Sequence, residues 1–175
     1  MQRLLIYLLL STLCPLLAVE KPNIILINID DLGYADISPF GGKVKTPNLD
    51  RMAAEGMKLA SHYAAPVCSP SRAAMMTGCY PKRVLPISGV LFPSAAVGLN
   101  PEETTVAEVL KKQGYLTTCI GKWHLGDAPQ FRSNAHGFDE ALSFQHGGSM
   151  YLAENDPNVV NAKQDFDVID KFIWA

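Results

Sequence analysis

The sequence carries little charge, and the charges do not cluster. Of its 175 residues 18% are charged, and the net charge at pH 7 is −2. No run of Lys and Arg is present, so nothing indicates a nucleic-acid partner. Because 48% of the residues are apolar, the composition is that of a folded globular protein rather than a disordered one. The length allows one ordinary domain with a sizeable core.

A long uninterrupted apolar stretch is also missing. The first 18 residues hold Arg3 and an apolar run at residues 4–10, which polar residues and Pro15 then interrupt. This run is shorter than the ~20 residues that a membrane span needs. We therefore interpret residues 1–18 as a signal peptide cleaved near Ala18, with a short membrane anchor as the alternative. The interpretation predicts a secreted or periplasmic protein, with no membrane association after cleavage.

Cysteine is too scarce for a disulfide scaffold. The four cysteines are Cys14, Cys68, Cys79 and Cys119. Cys14 would leave with the signal peptide, and the residues before it suit a lipoprotein poorly. If Cys68 is modified, only Cys79 and Cys119 could pair. We expect both instead to be buried thiols.

Apolar runs and helical patterns alternate along the chain. Asn23–Ile29 is a β-branched run that predicts a strand buried on both faces, and Met57–Ala64 and Tyr115–Ile120 predict two more strands. Caps, prolines and terminal glycines predict helices at residues 46–56, 69–78 and 100–112. The stretch 84–99 is predicted to be irregular. The alternation predicts an α/β fold with a mainly parallel sheet.

The end of the chain gives weaker signals. The tail from Ala153 is polar at first and then ends on Phe172-Ile173-Trp174 without a helix stop or turn signal. An apolar end of this kind predicts a chain that is cut within a domain, so we expect a fold that is incomplete at its C-terminus. A genuine short product is the alternative.

Cys68 opens the segment that is richest in chemistry, Cys68-Ser69-Pro70-Ser71-Arg72. The pattern places a Cys just before a helix N-terminus, where amide N–H groups and the helix dipole favour an anion. Arg72 follows one turn later and presents a positive fork that suits an oxyanion. A thiol in this setting would be acidified and reactive. A buried structural cysteine is the alternative.

The same segment resembles the formylglycine-dependent sulfatases, whose pattern is C-x-P-S-R, a short apolar helix and T-G. Here the pattern runs from Cys68 to Thr77-Gly78. The resemblance implies an arylsulfatase-like fold of the alkaline phosphatase superfamily, with residues 19–175 as the N-terminal portion of its catalytic domain. It also implies that a maturing enzyme oxidises Cys68 to formylglycine, whose hydrate is the nucleophile.

Two carboxylates, Asp30 and Asp31, end the first predicted strand and precede Leu32-Gly33. Such pairs suit a hard divalent cation, and open α/β sheets place ligand groups at strand ends. Because adjacent strand residues point to opposite faces, both can serve one ion only if the chain turns, and we expect Gly33 to permit that turn. An isolated pair would more often be a solvated turn. The resemblance instead implies metal ligands, Asp30, Asp31 and modified Cys68, for Ca²⁺, with Mg²⁺ as the alternative.

Lys122 and His124 stand in Gly121-Lys122-Trp123-His124-Leu125-Gly126, directly after the third predicted strand. Their alternation would point both to one side of an extended segment. Lys can anchor a sulfate, and His can move a proton near neutral pH. The segment is similar to the sulfatase G-K-W-H-x-G element, which implies that Lys122 contacts the sulfate and the formylglycine, and that His124 bonds the formylglycine hydroxyl.

Weaker resemblances extend from about Lys21 to about Glu140. They are Thr46-Pro47-Asn48-Leu49-Asp50, Gly114-Tyr115-Leu116-Thr117-Thr118 and His136-Gly137-Phe138-Asp139-Glu140. We interpret these as packing and capping features, and His62 and His146 as ordinary surface or core histidines. The resemblance also implies further site residues, an Asp-Asn pair that completes the metal shell and a Lys and a His near the leaving group, and we find no matching context for them here.

The resemblance implies a sulfuric ester hydrolase that acts on aryl or carbohydrate sulfates. In that mechanism the metal polarises the sulfate and activates one hydroxyl of the hydrated aldehyde, and the oxygen of this hydroxyl attacks sulfur. Arg72 and Lys122 offset the developing charge, the alcohol leaves, and His124 helps to deprotonate the second hydroxyl, which expels sulfate and restores the aldehyde. Two alternatives stay open. One is a phosphonate or phosphate monoester hydrolase of the same superfamily, and the other is an inactive truncated chain.

Overall fold

The computed structural model describes residues 21–93 and 95–148. The predicted signal peptide and the tail from Ala153 lie outside the described residues. The chain divides into two compact units, of which one ends at Arg51 and the other begins at Met52. In the part of the chain that is described, no helix is both long enough and apolar enough to cross a membrane.

The first unit does not contain the predicted strand Asn23–Ile29. This segment forms no strand pairing with any described residue, and its apolar side chains are exposed, Ile25 to 83%. The prediction was wrong because an apolar pattern specifies a tendency to be buried, whereas a strand also needs a neighbour to accept and donate its backbone hydrogen bonds.

Helix α1 spans Pro47–Glu55, as the Thr46-Pro47 start and the Gly56 stop predict. Polar side chains tie its beginning to the preceding 3-10 turn. The Ser38 hydroxyl donates to Asp50 Oδ2 at 2.8 Å, and the Ser38 amide donates to Thr46 Oγ1 at 3.1 Å. Thr46 therefore uses its hydroxyl to bond Ser38 and so fixes the approach of the chain to the helix.

In the second unit, Met57–Ala64 is irregular and exposed rather than a strand, with Tyr63 89% exposed. Helix α2 follows at Cys68–Thr77 and ends on Gly78, which adopts φ +69° as a left-handed cap. A short helix, α3, covers Pro81–Val84. The rest of 84–99 contains no described helix or strand, as predicted.

Helix α4 spans Val106–Lys112 and so begins six residues later than predicted. Thr105 caps it: its hydroxyl accepts from the Glu108 amide at 3.3 Å, and Glu108 Oε2 accepts from the Thr105 amide at 2.7 Å. This reciprocal capping box is a stronger start signal than the acidic residues at 102 and 103. The prediction chose the earlier of two plausible starts.

Two parallel strands complete the second unit. Strand β1 is Thr118–Lys122, shifted toward the C-terminus from the predicted 115–120, and strand β2 is Glu140–Phe144. They pair from Thr118 with Glu140 to Lys122 with Phe144. Helices and parallel strands together confirm the predicted α/β class. Strand β2 was not predicted, because the signals after Asp127 are weak.

The core of the second unit joins α2 to the segment after β1. Its central members are Ala73 of α2, Leu99, Trp123 and Leu125, each at most 3% exposed. The Leu99 amide donates to the Leu125 carbonyl at 2.8 Å. This packing connects α2 with the segment that follows β1.

Candidate active site

Cys68 is the first residue of α2 and is half-buried. The sequence placed it just before the helix, so the structure moves it inward by one residue. Ser69 and Pro70 behind it are fully packed. The residue before the helix, Val67, offers no side-chain cap, so no protein carboxylate or hydroxyl from that position competes for an anion at this end.

Arg72 connects α2 to the end of β1. It lies one turn into the helix, is 7% exposed, and donates from Nη1 to the backbone carbonyl of Lys122. Two segments that the sequence singled out separately are thereby brought together. A buried guanidinium keeps its charge, so this end of the strand carries a fixed cation beside Lys122.

The chain leaves β1 along a tightly held path. Lys122 is the last strand residue, and the Trp123 amide that follows donates to the Phe144 carbonyl at 2.9 Å. The Trp123 indole is 3% exposed and donates to the Phe131 carbonyl at 2.7 Å. These two hydrogen bonds fix the position of Trp123, which lies between Lys122 and His124 in the chain.

The side chain of His124 is buried, with 4% exposure, and its backbone has φ +56°. Positive φ is uncommon for a residue other than Gly and marks a position whose surroundings enforce the conformation. The ring Nε2 lies 2.7 Å from the Leu91 carbonyl oxygen. A side chain at Gly147 would place its Cβ 2.9 Å from His124 Cε1, so only glycine fits there without a shift.

Leu91 and Ser69 are parts of this site that the sequence did not predict. The Leu91 amide donates to the Ser69 hydroxyl at 3.1 Å while its carbonyl meets His124, so the backbone of one residue spans from α2 to the histidine. No motif marks Leu91, because it lies in an irregular stretch and acts through its backbone. Ser69 stands next to Cys68 in the motif, but the sequence marked it only as the start of a predicted helix.

Asp30 and Asp31 lie in a turn of the first unit and are exposed. The positive φ belongs to Asp31, at +53°, whereas Gly33 is extended at φ −75°. The expectation that Gly33 provides the turn was therefore wrong. Asp tolerates the left-handed region because its short side chain bonds locally. The turn interrupts the extended backbone, in which adjacent side chains would point to opposite faces. Binding of one ion by both carboxylates requires such an interruption.

The donor chemistry of this turn suits a hard cation, and it is incomplete. Two carboxylates supply only part of the roughly 6–8 oxygen ligands that Ca²⁺ takes. Among residues 21–93 and 95–148 there is no cluster of three or more His, Cys, Asp or Glu that could hold a metal. Cys68, the third predicted ligand, belongs to the second unit. The described residues thus fit part of a metal shell.

The remaining histidines and thiols have structural settings. His62 is exposed, and His146 Nδ1 lies 3.2 Å from Asp127 Oδ2. Cys79 and Cys119 are free, half-buried thiols packed against the core, as the expectation of unpaired thiols requires. Burial raises the pKa of the Cys119 thiol, while a hydrogen bond with Ser133 partly opposes that rise.

A cavity of about 450 Å³ lies elsewhere in the second unit, between α3 and Phe131. Its lining includes Lys82, Arg83 and apolar residues such as Val84 and Val97. None of the predicted site residues lines it. The chemistry predicted from the motifs therefore does not reside in this cavity.

Comparison with known proteins finds a matching family and similar chains. Residues 22–173 match the family model described as Sulfatase. Human arylsulfatase A is 49% identical over 152 residues, which is 85% of this chain and 30% of that protein. Rat steryl-sulfatase is 47% identical over 146 residues, which is 76% of this chain and 25% of that protein. The chain therefore spans less than a third of these curated relatives, in their N-terminal part.

Solved structures also resemble this chain. The crystal structure of Ps i-CgsB superposes with a TM-score of 0.72 at 42% identity, covering 76% of this chain and 30% of that one. A second crystal structure of the same protein contains k-i-k-neocarrahexaose and also gives a TM-score of 0.72, at 41% identity.

Proposed function

This chain belongs to the sulfatase family, and we propose that it supplies the nucleophile and the anion-binding residues of a sulfuric ester hydrolase. The substrates would be aryl or carbohydrate sulfates. The names of arylsulfatase A and steryl-sulfatase, and the neocarrahexaose bound to Ps i-CgsB, support this class of substrate. The phosphonate or phosphate monoester hydrolase and the inactive chain are the outcomes that the experiment below must separate.

One observation carries the proposal: Arg72 bonds the backbone of Lys122. This bond brings the helix that begins with Cys68 to the strand end that carries Lys122. A guanidinium and an ammonium near a helix N-terminus would form an environment that favours a sulfate and the negative charge that develops as its ester bond breaks. Arg72 would supply a planar, directional cation, and Lys122 would supply an ammonium.

Two groups would complete this chemistry. Formylglycine made from Cys68 would supply a hydrated aldehyde as the nucleophile, and a maturing enzyme would have to install it. A Ca²⁺ or Mg²⁺ ion would supply Lewis-acid polarisation of the sulfate and of the attacking hydroxyl. Asp30, Asp31 and modified Cys68 would hold that ion. His124, held by Leu91, would accept a proton when sulfate is released.

The decisive variant is Cys68→Ala, compared with Cys79→Ala as a matched control. Both remove a half-buried free thiol, but only the first removes the proposed nucleophile. The enzyme is coexpressed with a sulfatase-maturing enzyme and assayed on aryl sulfate and aryl phosphonate. We expect Cys68→Ala to lose turnover with an unchanged unfolding midpoint, and Cys79→Ala to keep it. The mass of the peptide that contains Cys68 should be that of the aldehyde.

Each alternative has a distinct outcome. Turnover that survives Cys68→Ala would remove the aldehyde mechanism, and faster turnover of aryl phosphonate would favour the related hydrolase. No turnover after complete conversion of Cys68 would identify a non-catalytic chain.

We also propose that the protein is exported. The charged start and short apolar run of residues 1–18 support this location. N-terminal sequencing of the mature protein should begin near Val19, and a mature protein that begins at residue 1 or 2 would contradict export by cleavage.

A further inference from the structure

The backbone of Leu91 is held at both ends, through the two peptide groups that meet at its Cα. Its amide donates to Ser69 Oγ at 3.1 Å, and its carbonyl oxygen lies 2.7 Å from His124 Nε2. Ser69 is fully buried, and Leu91 and His124 are each 4% exposed. Since water has little access to these groups, neither bond is readily exchanged for one with solvent.

The carbonyl determines which nitrogen of His124 carries the hydrogen. A carbonyl oxygen can only accept, so Nε2 must donate to it. In a neutral imidazole one nitrogen is a donor and the other an acceptor, and Nδ1 is therefore left with the lone pair. The atom of His124 that can take up a proton is thus set by the orientation of the Leu91 peptide.

The backbone of His124 makes this dependence stronger. Its φ of +56° is a conformation that the surrounding structure must enforce, and Gly147 lies against the ring. Close contacts therefore restrict the ring position. The contact with the Leu91 carbonyl discriminates between the two nitrogens, because it involves Nε2.

We propose that Ser69 is a positioning residue that acts on His124 through the Leu91 backbone. The buried hydroxyl of Ser69 holds the Leu91 amide and so limits where the next peptide group can lie; the carbonyl of that group holds His124 in the Nε2–H tautomer, and Nδ1 becomes the proton acceptor. The tautomer follows from the contacts alone, whereas its use in catalysis rests on the proposed function.

The test is the tautomer of His124 in protein labelled with ¹⁵N-histidine. The sequence has four histidines, so His124→Gln identifies the relevant signals. Long-range ¹H–¹⁵N correlation spectra distinguish Nε2–H from Nδ1–H rings. We expect wild type and Ser69→Thr, which keeps a hydroxyl, to show the Nε2–H pattern. Ser69→Ala should show a mixed or exchange-averaged pattern. Ser88→Ala, an exposed serine of the same loop, is the control and should match wild type.

The kinetic readout separates a positioning role from a structural one. In the matured enzyme, Ser69→Ala should lower kcat by about tenfold or more while KM changes little, because proton transfer contributes about 10²–10⁴-fold and only its alignment is disturbed. Ser69→Thr should restore most of kcat. A loss of kcat in Ser69→Ala that Ser69→Thr fails to restore would overturn the proposal.

The spectra decide the proposal even without activity. An Nδ1–H pattern in wild type, or an unchanged Nε2–H pattern in folded Ser69→Ala, would overturn it. If Ser69→Ala does not fold, the wild-type and Ser69→Thr spectra decide, because Nδ1–H in either contradicts the arrangement. Expected spectra in an enzyme that hydrolyses no sulfate ester would support the positioning of His124 and reject the proposed function.

Discussion

Two residues of the described chain other than glycine have positive φ, Asp31 and His124. The sequence had already singled out both for their chemistry, one as a metal ligand and the other as a proton carrier. Left-handed backbone costs free energy for such residues and persists only where the surroundings impose it. At the scale of single residues, positive φ therefore occurs at two residues that the motifs had singled out, although nothing in the motifs predicted these angles.

His136 shows what burial does to a titratable residue outside the site. It is fully buried, 5.8 Å from the Trp123 ring centroid, and among the described residues neither ring nitrogen has a hydrogen-bond partner. Burial lowers the pKa of His136 from 6.5, and the charge of Glu108 opposes this only in part. The neutral ring is therefore the form that the folded protein accommodates.

This lowered pKa predicts a pH-dependent stability. Because the unfolded chain takes up the proton first, the contribution of His136 is present above pH 6.5 and is lost as the pH falls through the lower, folded-state pKa. We expect His136→Gln to flatten the decline in unfolding midpoint between about pH 7 and 5. His62→Gln, an exposed control, should keep the wild-type slope. Parallel slopes for wild type and His136→Gln would contradict the prediction.

At the scale of elements, the helices were predicted better than the strands. Helices α1 and α2 begin and end within about a residue of the prediction, because a proline at the start and a glycine at the end act locally. Strands need a partner that lies elsewhere in the chain. The predictions at 23–29 and 57–64 were wrong for that reason, and β2 was found only in the structure.

Thr105 determines where α4 begins, and its substitution tests this. Its hydroxyl caps the helix and also donates to the buried His136 carbonyl at 2.7 Å. We expect Thr105→Ala to lower the free energy of unfolding by about 1–3 kcal/mol, since a cap and a buried hydrogen bond are both lost. Urea unfolding measures the change. Thr104→Ala, the exposed neighbouring threonine, should stay within about 0.5 kcal/mol of wild type.

At the scale of the whole molecule, the core of the second unit positions the residues of the candidate site. Leu99 is fully buried in that core, and its amide bonds Leu125, the residue after His124. The packing of Leu99 therefore helps to position the residues next to His124, although the loop that contains Leu99 carries no reactive side chain. The candidate site is thus held by this core.

Leu99→Ala tests that dependence. We expect a loss of about 2–5 kcal/mol in unfolding free energy, because a buried leucine side chain is replaced by a cavity. Leu116→Ala removes the same atoms from a side chain that is 73% exposed and should cost less than about 0.5 kcal/mol. Equal costs for the two variants, measured by denaturant unfolding, would show that Leu99 is not part of the core.

The sequence by itself determined the α/β class and the starts of two helices, and it predicted the residues that we propose for the chemistry. These follow from local rules: a cap, a proline, a glycine, or a reactive side chain at a set spacing acts on its immediate neighbours. Only the tertiary structure decided that Arg72 meets the Lys122 backbone, and that Ser69 reaches His124 through Leu91. Those contacts join residues that are far apart in the chain, and all three hydrogen bonds use a backbone atom of one partner. A motif cannot encode such contacts, because their partners are selected by the packing of the folded core.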